Sequence, residues 1–340
     1  MRYALIQHVQ QNDRLGKNIY SDDGRILLNS GITLTIGLIS RLKGMGVEAI
    51  YLQDEEGESV TNDSISEETK QELLSNLSTS FDYIQSGKGF NPDRVKKSAT
   101  LIIDDLIDSP EVLLHLSDIR TINNQSLIHS VHVGIMSILV GIKLGYKEQE
   151  LRDLGTGALL HDIGKIAVHS NGSQRHHAWE GFDLLRQNRE LSTLTAHVAF
   201  QHHEHIDGSG APREIKEDEI HSYAKIVGIT NYYDNLVAPQ DGSKPLLPYE
   251  ACEKILGLTN VWFGQEYVWQ FLRSIAIYPN GSSVRLSNGK VGSIIAQNKG
   301  LPQRPVIRCF KDDRTFDTYS VENIDLSKHT TIFIKNMLSD

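Results

Sequence analysis

Cysteine is nearly absent from these 340 residues, with Cys252 and Cys309 the only two. They offer neither a disulfide framework nor the paired spacing of a zinc knuckle, and read as reduced thiols of a reducing compartment. Positive charge is short as well. Lys and Arg number 34 against 43 Asp and Glu, for a formal net charge of −9. That balance excludes general binding to DNA or to an anionic membrane, either of which needs a strong positive field. A phosphate-bearing substrate is still permitted, because bound metal ions can supply positive charge locally. The opening MRYALIQHVQQNDR turns polar before it builds the apolar region of a signal peptide. The most apolar later run, Val133 to Ile142, is too short to span a bilayer. A soluble, cytoplasmic protein with no membrane partner is expected. Internal repeats and low-complexity tracts are lacking too.

The length implies more than one domain. Residues 1–60 read as a small α/β unit. YALIQHV, RILL and EAIYLQ are strand-like, and TIGLISRLKGMG is a helix with Ile36, Ile39 and Leu42 on one face. The acidic, aperiodic DEEGESVTNDSISEE serves as a linker. Residues 67–277 carry helical periodicity almost throughout. Leu73, Leu77, Phe81 and Ile84 share one face, and Asn91-Pro92 opens a second helix with Val95, Ala99, Ile102 and Ile103 inward. Pro110 is expected to open a third, with His115 as a packing residue. From 278 the pattern turns β-rich, with a hairpin at Asn288-Gly289. The fold class expected is mainly α: an all-α core over 126–250 within the helical domain, a small α/β unit before it and a β-rich domain over 278–340.

Histidine is concentrated instead. Of 14 in the chain, eight lie between His161 and His205, where an even scatter would put roughly two. Any one histidine on a helix is more often a packing residue. Together with Asp162 they form the nitrogen and oxygen donor set that borderline divalent metals prefer. His161 and Asp162 are adjacent, so on a helix they point about 100° apart and cannot clasp one ion as an i,i+4 pair would. At a helix end, Asp162 can instead bridge two ions through its two oxygens while His161 binds one of them. Such a pair of ions hydrolyses phosphate esters. Lys165, one turn on, is a donor only and suits a phosphate oxygen rather than a metal. Asp162 and Lys165 are thus the catalytic candidates. His129 and His132 share a face of the apolar helix over 126–145, and one of them facing the cluster would serve as a ligand.

The order of these segments resembles the HD-GYP family of metal phosphohydrolases, whose core is all-α. It is carried by HDIGK at 161–165, His177 with Gly181, HHE at 202–204 and DGSGAPRE at 207–214. The resemblance covers roughly Ser126 to Glu250. It implies His129 as the first ligand and His132 as a packing or supporting residue. It further implies Asp162 as the bridge, and His177, His202 and His203 with Asp162 around the second metal. Lys165 and Arg213 become candidates for substrate phosphates. The family's final ligand is an aspartate, and Asn231 occupies that position, with Asp234 three residues on. Ala211 stands for the tyrosine of the Gly-Tyr-Pro motif. Gln125 stands where three-metal members have a glutamate, so two metals at most are expected. Iron or manganese leads, with zinc, nickel or cobalt acceptable to the same donors.

The function implied is cyclic di-GMP phosphodiesterase activity in a bacterial signalling protein, with a related nucleotide phosphate ester as a wider substrate class. The alternative is a degenerate module that binds metal or nucleotide and signals through its end domains. A homodimer and a signalling protein partner are the associations those end domains allow.

Overall fold

The computed structural model describes residues 2–53, 65–88, 91–108, 112–114, 116, 118–166, 176–311 and 320–338. The first strand, β1 (Arg2–Leu5), pairs antiparallel with β4 (Ala49–Leu52). Between them come β2 (Ile19–Tyr20), its partner β3 (Ile26–Leu28), and helix α1 (Ile36–Gly44). Thr35 caps α1, its hydroxyl accepting from the Leu38 amide. Ile39 and Leu42 face inward as the periodicity requires, but Ile36 in the first turn is 68% exposed. The unit is tied to the rest of the chain. Tyr20 packs in the helical core, and its carbonyl accepts from the buried Asn124 amide.

Helices α2 (Glu67–Gln85) and α3 (Pro92–Ile107) start where their caps predict, at Ser66 and at Asn91 before proline. Their apolar faces are buried, Leu73, Leu77, Val95, Ala99 and Ile102 completely. No helix follows Pro110 among the described residues. Residues 112–114 and 118–120 are irregular, and Leu114 exchanges backbone hydrogen bonds with Ser274 and Ala276. The apolar VLL run is spent on that long-range pairing, and tertiary contact overrides the local pattern. His115 lies outside the described residues.

Helix α4 (Gln125–Lys143) is the axis of the domain. By length and composition it would suffice to cross a membrane, which the shorter Val133–Ile142 run does not suggest. In the fold, 83% of that apolar window is buried against its neighbours, so its hydropathy is that of a core helix. Against it pack α5 (Glu148–Leu159), α8 (Ser222–Val237) and α10 (Gln265–Leu272), while α7 (Thr193–Gln201) lies against α5 and α8, α6 (His177–Arg186) against α7, and α9 (Pro248–Gly257) against α8 and α10.

The β-rich end is a sheet rather than a closed barrel. Strands β5 (Ser283–Leu286), β6 (Val291–Ala296), β7 (Val306–Lys311), β8 (Ser320–Asp325) and β9 (Ile334–Met337) run in the order β8-β7-β6-β5-β9, every pair antiparallel. The β5–β6 hairpin turns at Asn288-Gly289, as the dipeptide predicts. Val284, Leu286, Ile294 and Ile307 form its own small core.

Candidate metal centre

Helix α5 ends at Leu159, and the chain leaves it through a turn and a short 3-10 segment over Ile163–Lys165. That break lets the adjacent His161 and Asp162 point to a common place. His161 Nδ1 lies 2.8 Å from the Ala158 carbonyl, which leaves Nε2 facing inward. His202, closing α7, is anchored in the same way, its Nδ1 2.9 Å from the Ala199 carbonyl. A backbone acceptor at Nδ1 fixes the tautomer whose Nε2 is a lone pair.

These nitrogens converge on Asp162. Around Oδ1 lie His177 Nε2 at 3.2 Å and His202 Nε2 at 3.5 Å. Around Oδ2 lie His161 Nε2 at 3.5 Å and His129 Nε2, from α4, at 3.6 Å. His203 Nε2 is 3.1 Å from His177 Nε2, and His129 Nε2 is 3.2 Å from His161 Nε2. Two groups result, His129–His161–Asp162 and Asp162–His177–His202–His203, each with its donor atoms close enough for one ion. Six of the seven side chains expected around metal are brought together, Asn231 being the exception, and Asp162 belongs to both groups.

The electrostatics fit a cation. Asp162 Oδ1 is buried with no hydrogen-bond partner, an expensive state for a carboxylate unless something positive sits beside it. Imidazole nitrogens facing one another at about 3 Å are unfavourable without a shared proton or ion between them. Burial pushes the His161 imidazole down to about 3, against the opposing pull of Asp162. Burial also lowers His202 and His203, and their neighbouring histidines add to it. For Asp162 burial acts the other way, yet His161, His177, His202 and Lys165 outweigh it and hold the carboxyl well below its usual range. An ionised carboxylate among neutral imidazoles is the ligand state that metals require. The residues present fit a divalent metal.

Two glycines let the backbone close up around these ligands. A Cβ on Gly164 would lie 2.0 Å from the His177 carbonyl oxygen and 2.6 Å from the Gly181 amide, so α6 could not approach the 3-10 turn. A Cβ on Gly210 would come within 2.3–2.5 Å of the His203–His205 backbone. Glu204 completes that second arrangement: its buried carboxylate accepts from the Arg213 and Ile215 amides and folds the loop back beneath His203.

The remaining expected residues are placed less centrally. Lys165 Nζ donates to Asp162 Oδ2 at 2.5 Å, and its side chain is 48% exposed at the rim. Arg213 is exposed and lies over the Phe200 ring, 5.4 Å from its centroid. Its described contacts are with Phe200 and Glu204, not with the clustered ligands. Asn231 is buried in α8, but its Oδ1 accepts from the Asn235 amide at 2.8 Å, a bond within the helix.

Asp234, not Asn231, brings α8 to the cluster. Its Oδ2 is 2.6 Å from His129 Nδ1, on the side of the ring away from Asp162. Arg120 donates to both Asp234 oxygens, at 2.6 and 2.8 Å. Sequence reasoning missed Arg120, which lies just beyond the VLLHLSDI run expected to be helical, and it missed His176. The His176 ring stacks on His177 with centroids 4.5 Å apart. The doublet His176-His177 carried a signal for that residue, whereas Arg120 had none.

A cluster of histidines around one aspartate, built on a helical core and able to hold metal, defines the class of site. Residues 126–236 match the HD domain family, and residues 283–340 match the KOW domain associated with HD domain. A cyclic di-GMP phosphodiesterase of Pseudomonas aeruginosa is 28% identical over 232 residues, covering 64% of this chain and 56% of that protein. A cyclic di-GMP phosphodiesterase of Thermotoga maritima is 32% identical over 186 residues, 50% of each chain. The chain spans about half the length of these curated relatives. Among solved structures, an HDG"Y"P protein from Bdellovibrio bacteriovorus aligns with a TM-score of 0.48 at 17% identity, covering 79% of this chain and 97% of that one. The match to the HD domain family thus spans residues 126–236, about a third of the chain, and coincides with the helices that carry the cluster.

Proposed function

We propose that this protein is a metal-dependent phosphodiesterase that hydrolyses cyclic di-GMP. The observation that carries the reading is the shared, buried Asp162, whose two oxygens each face their own set of imidazole nitrogens. Similarity to proteins named cyclic di-GMP phosphodiesterases supports the choice of substrate. His129, His161 and Asp162 would hold one divalent ion, and Asp162, His177, His202 and His203 a second, with iron, manganese, zinc, nickel or cobalt all acceptable to these donors. When bound, such ions lower the pKa of water and offset the negative charge that builds on the phosphoryl oxygens.

The chain's own residues do the rest. The buried walls keep bulk water from the ligands, and the backbone carbonyls of Ala158 and Ala199 hold two imidazoles in the right tautomer. Lys165 is exposed enough, and its stem long enough, to exchange Asp162 for a phosphate oxygen as substrate enters. Arg213, on the loop after Pro212, can contribute only from the periphery.

Asn231 favours the second reading, a module that binds metal or nucleotide without turnover. With its amide oxygen turned to Asn235, the His129 group has three donors, which weakens that ion. Incubating manganese-loaded protein with cyclic di-GMP and separating products by chromatography decides between them. The proposal expects linear or mononucleotide product, and at least a tenfold loss of apparent substrate affinity in Lys165→Ala with metal content unchanged. Nucleotide binding without product would establish the second reading instead.

A further inference from the structure

Asp234, Arg120, His132 and Asp118 form a buried polar chain behind the cluster, and it fixes the tautomer of His129. His132 Nδ1 faces both Arg120 Nη2 at 2.9 Å and Asp234 Oδ1 at 3.3 Å, and its Nε2 lies 2.8 Å from Asp118 Oδ2. Asp118 is held in turn by Lys70 at 3.2 Å. On the other side, Arg120 donates to both Asp234 oxygens, and Asp234 Oδ2 still has His129 Nδ1 at 2.6 Å. A carboxylate paired with a guanidinium only accepts, so His129 carries its proton on Nδ1.

We infer that Asp234, oriented by Arg120, is the positioning residue for His129, presenting its Nε2 lone pair toward Asp162 and His161. This rests on the proposed metal centre, but it makes a statement about metal-free protein as well. A carboxylate at the remote nitrogen makes an imidazole a stronger ligand, and losing such a partner typically weakens metal binding by about 10–100-fold.

The test has two arms. Long-range proton–nitrogen NMR of the metal-free protein, with rings assigned through His129→Gln and His132→Gln, reads the tautomers directly. The Nδ1–H form is expected for His129, and the Nε2–H form overturns the inference. Manganese titration of Asp234→Asn should then show one of two equivalents weakened about 10–100-fold, with the equivalent at the His177 group unmoved. Unchanged affinity at both also overturns it. Should the variant fail to fold, the tautomers of the native protein still decide. If the native protein takes up no metal, the proposed function falls, while the spectrum independently tests the role of Asp234.

Discussion

At the residue scale the centre depends on imidazoles that stay neutral and one carboxylate that stays charged. His161 shows the consequence most clearly. Its folded value is depressed to about 3 by burial, while the unfolded chain has the ordinary value near 6.5. Between those values the unfolded state binds a proton that the folded state does not, so stability falls as pH falls through that window. Above about pH 6.5 this group contributes no slope, and within the window the slope approaches about 1.4 kcal/mol per pH unit. Metal-free His161→Gln should therefore lose less stability than the native chain between pH 7 and pH 4.5, as read by denaturant unfolding. Equal losses would show that His161 protonates freely in the fold. The six clustered side chains were legible in sequence because histidine is uncommon and the motifs are local. Asp234 and Arg120 were not, since 114 positions separate them and only the packing of α8 beside α4 brings them together. Asn231 was assigned by its place in a motif. The structure gives its amide oxygen a helical partner instead.

At the scale of elements, the interruption between α5 and α6 makes the site. An uninterrupted helix through His161 and Asp162 would aim them apart. The 3-10 turn aims them together, and α6 delivers His177 against that turn by backbone contact at Gly164. Gly164→Ala puts a methyl where the His177 carbonyl already lies. Nothing flexible can give way there, so the variant should lose on the order of 1–3 kcal/mol of stability and most metal uptake by the His177 group. Thermal unfolding and metal analysis check both parts, and a variant with native metal content would contradict the packing argument. Helix positions were largely legible because caps and apolar faces agree in α2 and α3, and α4 shows itself by its long apolar run. The expected helix after Pro110 failed because the apolar residues there serve a backbone pairing with 274–276, which no local periodicity reveals.

Over the whole molecule, the three largest apolar clusters follow the three compositional regions of the chain, but they are not sealed from one another. Tyr20 of the first unit is buried in the helical core, and Ile119 of the helical region lies in the core of the first unit. The same connection runs on in polar form, from Lys70 through Asp118 and His132 to Asp234 beside the cluster. The sheet at the other end keeps its own core and matches a KOW domain. All of this architecture frames one residue, Asp162, which both ligand groups share. The most direct measurement is the metal stoichiometry of native and Asp162→Ala protein, each stripped, reconstituted with manganese or iron and analysed for bound metal. Two equivalents in the native protein, falling by more than one in the variant while helical content survives, is the result expected. No transition metal in the native protein after reconstitution, or equal stoichiometry in the two, would contradict a centre built on Asp162.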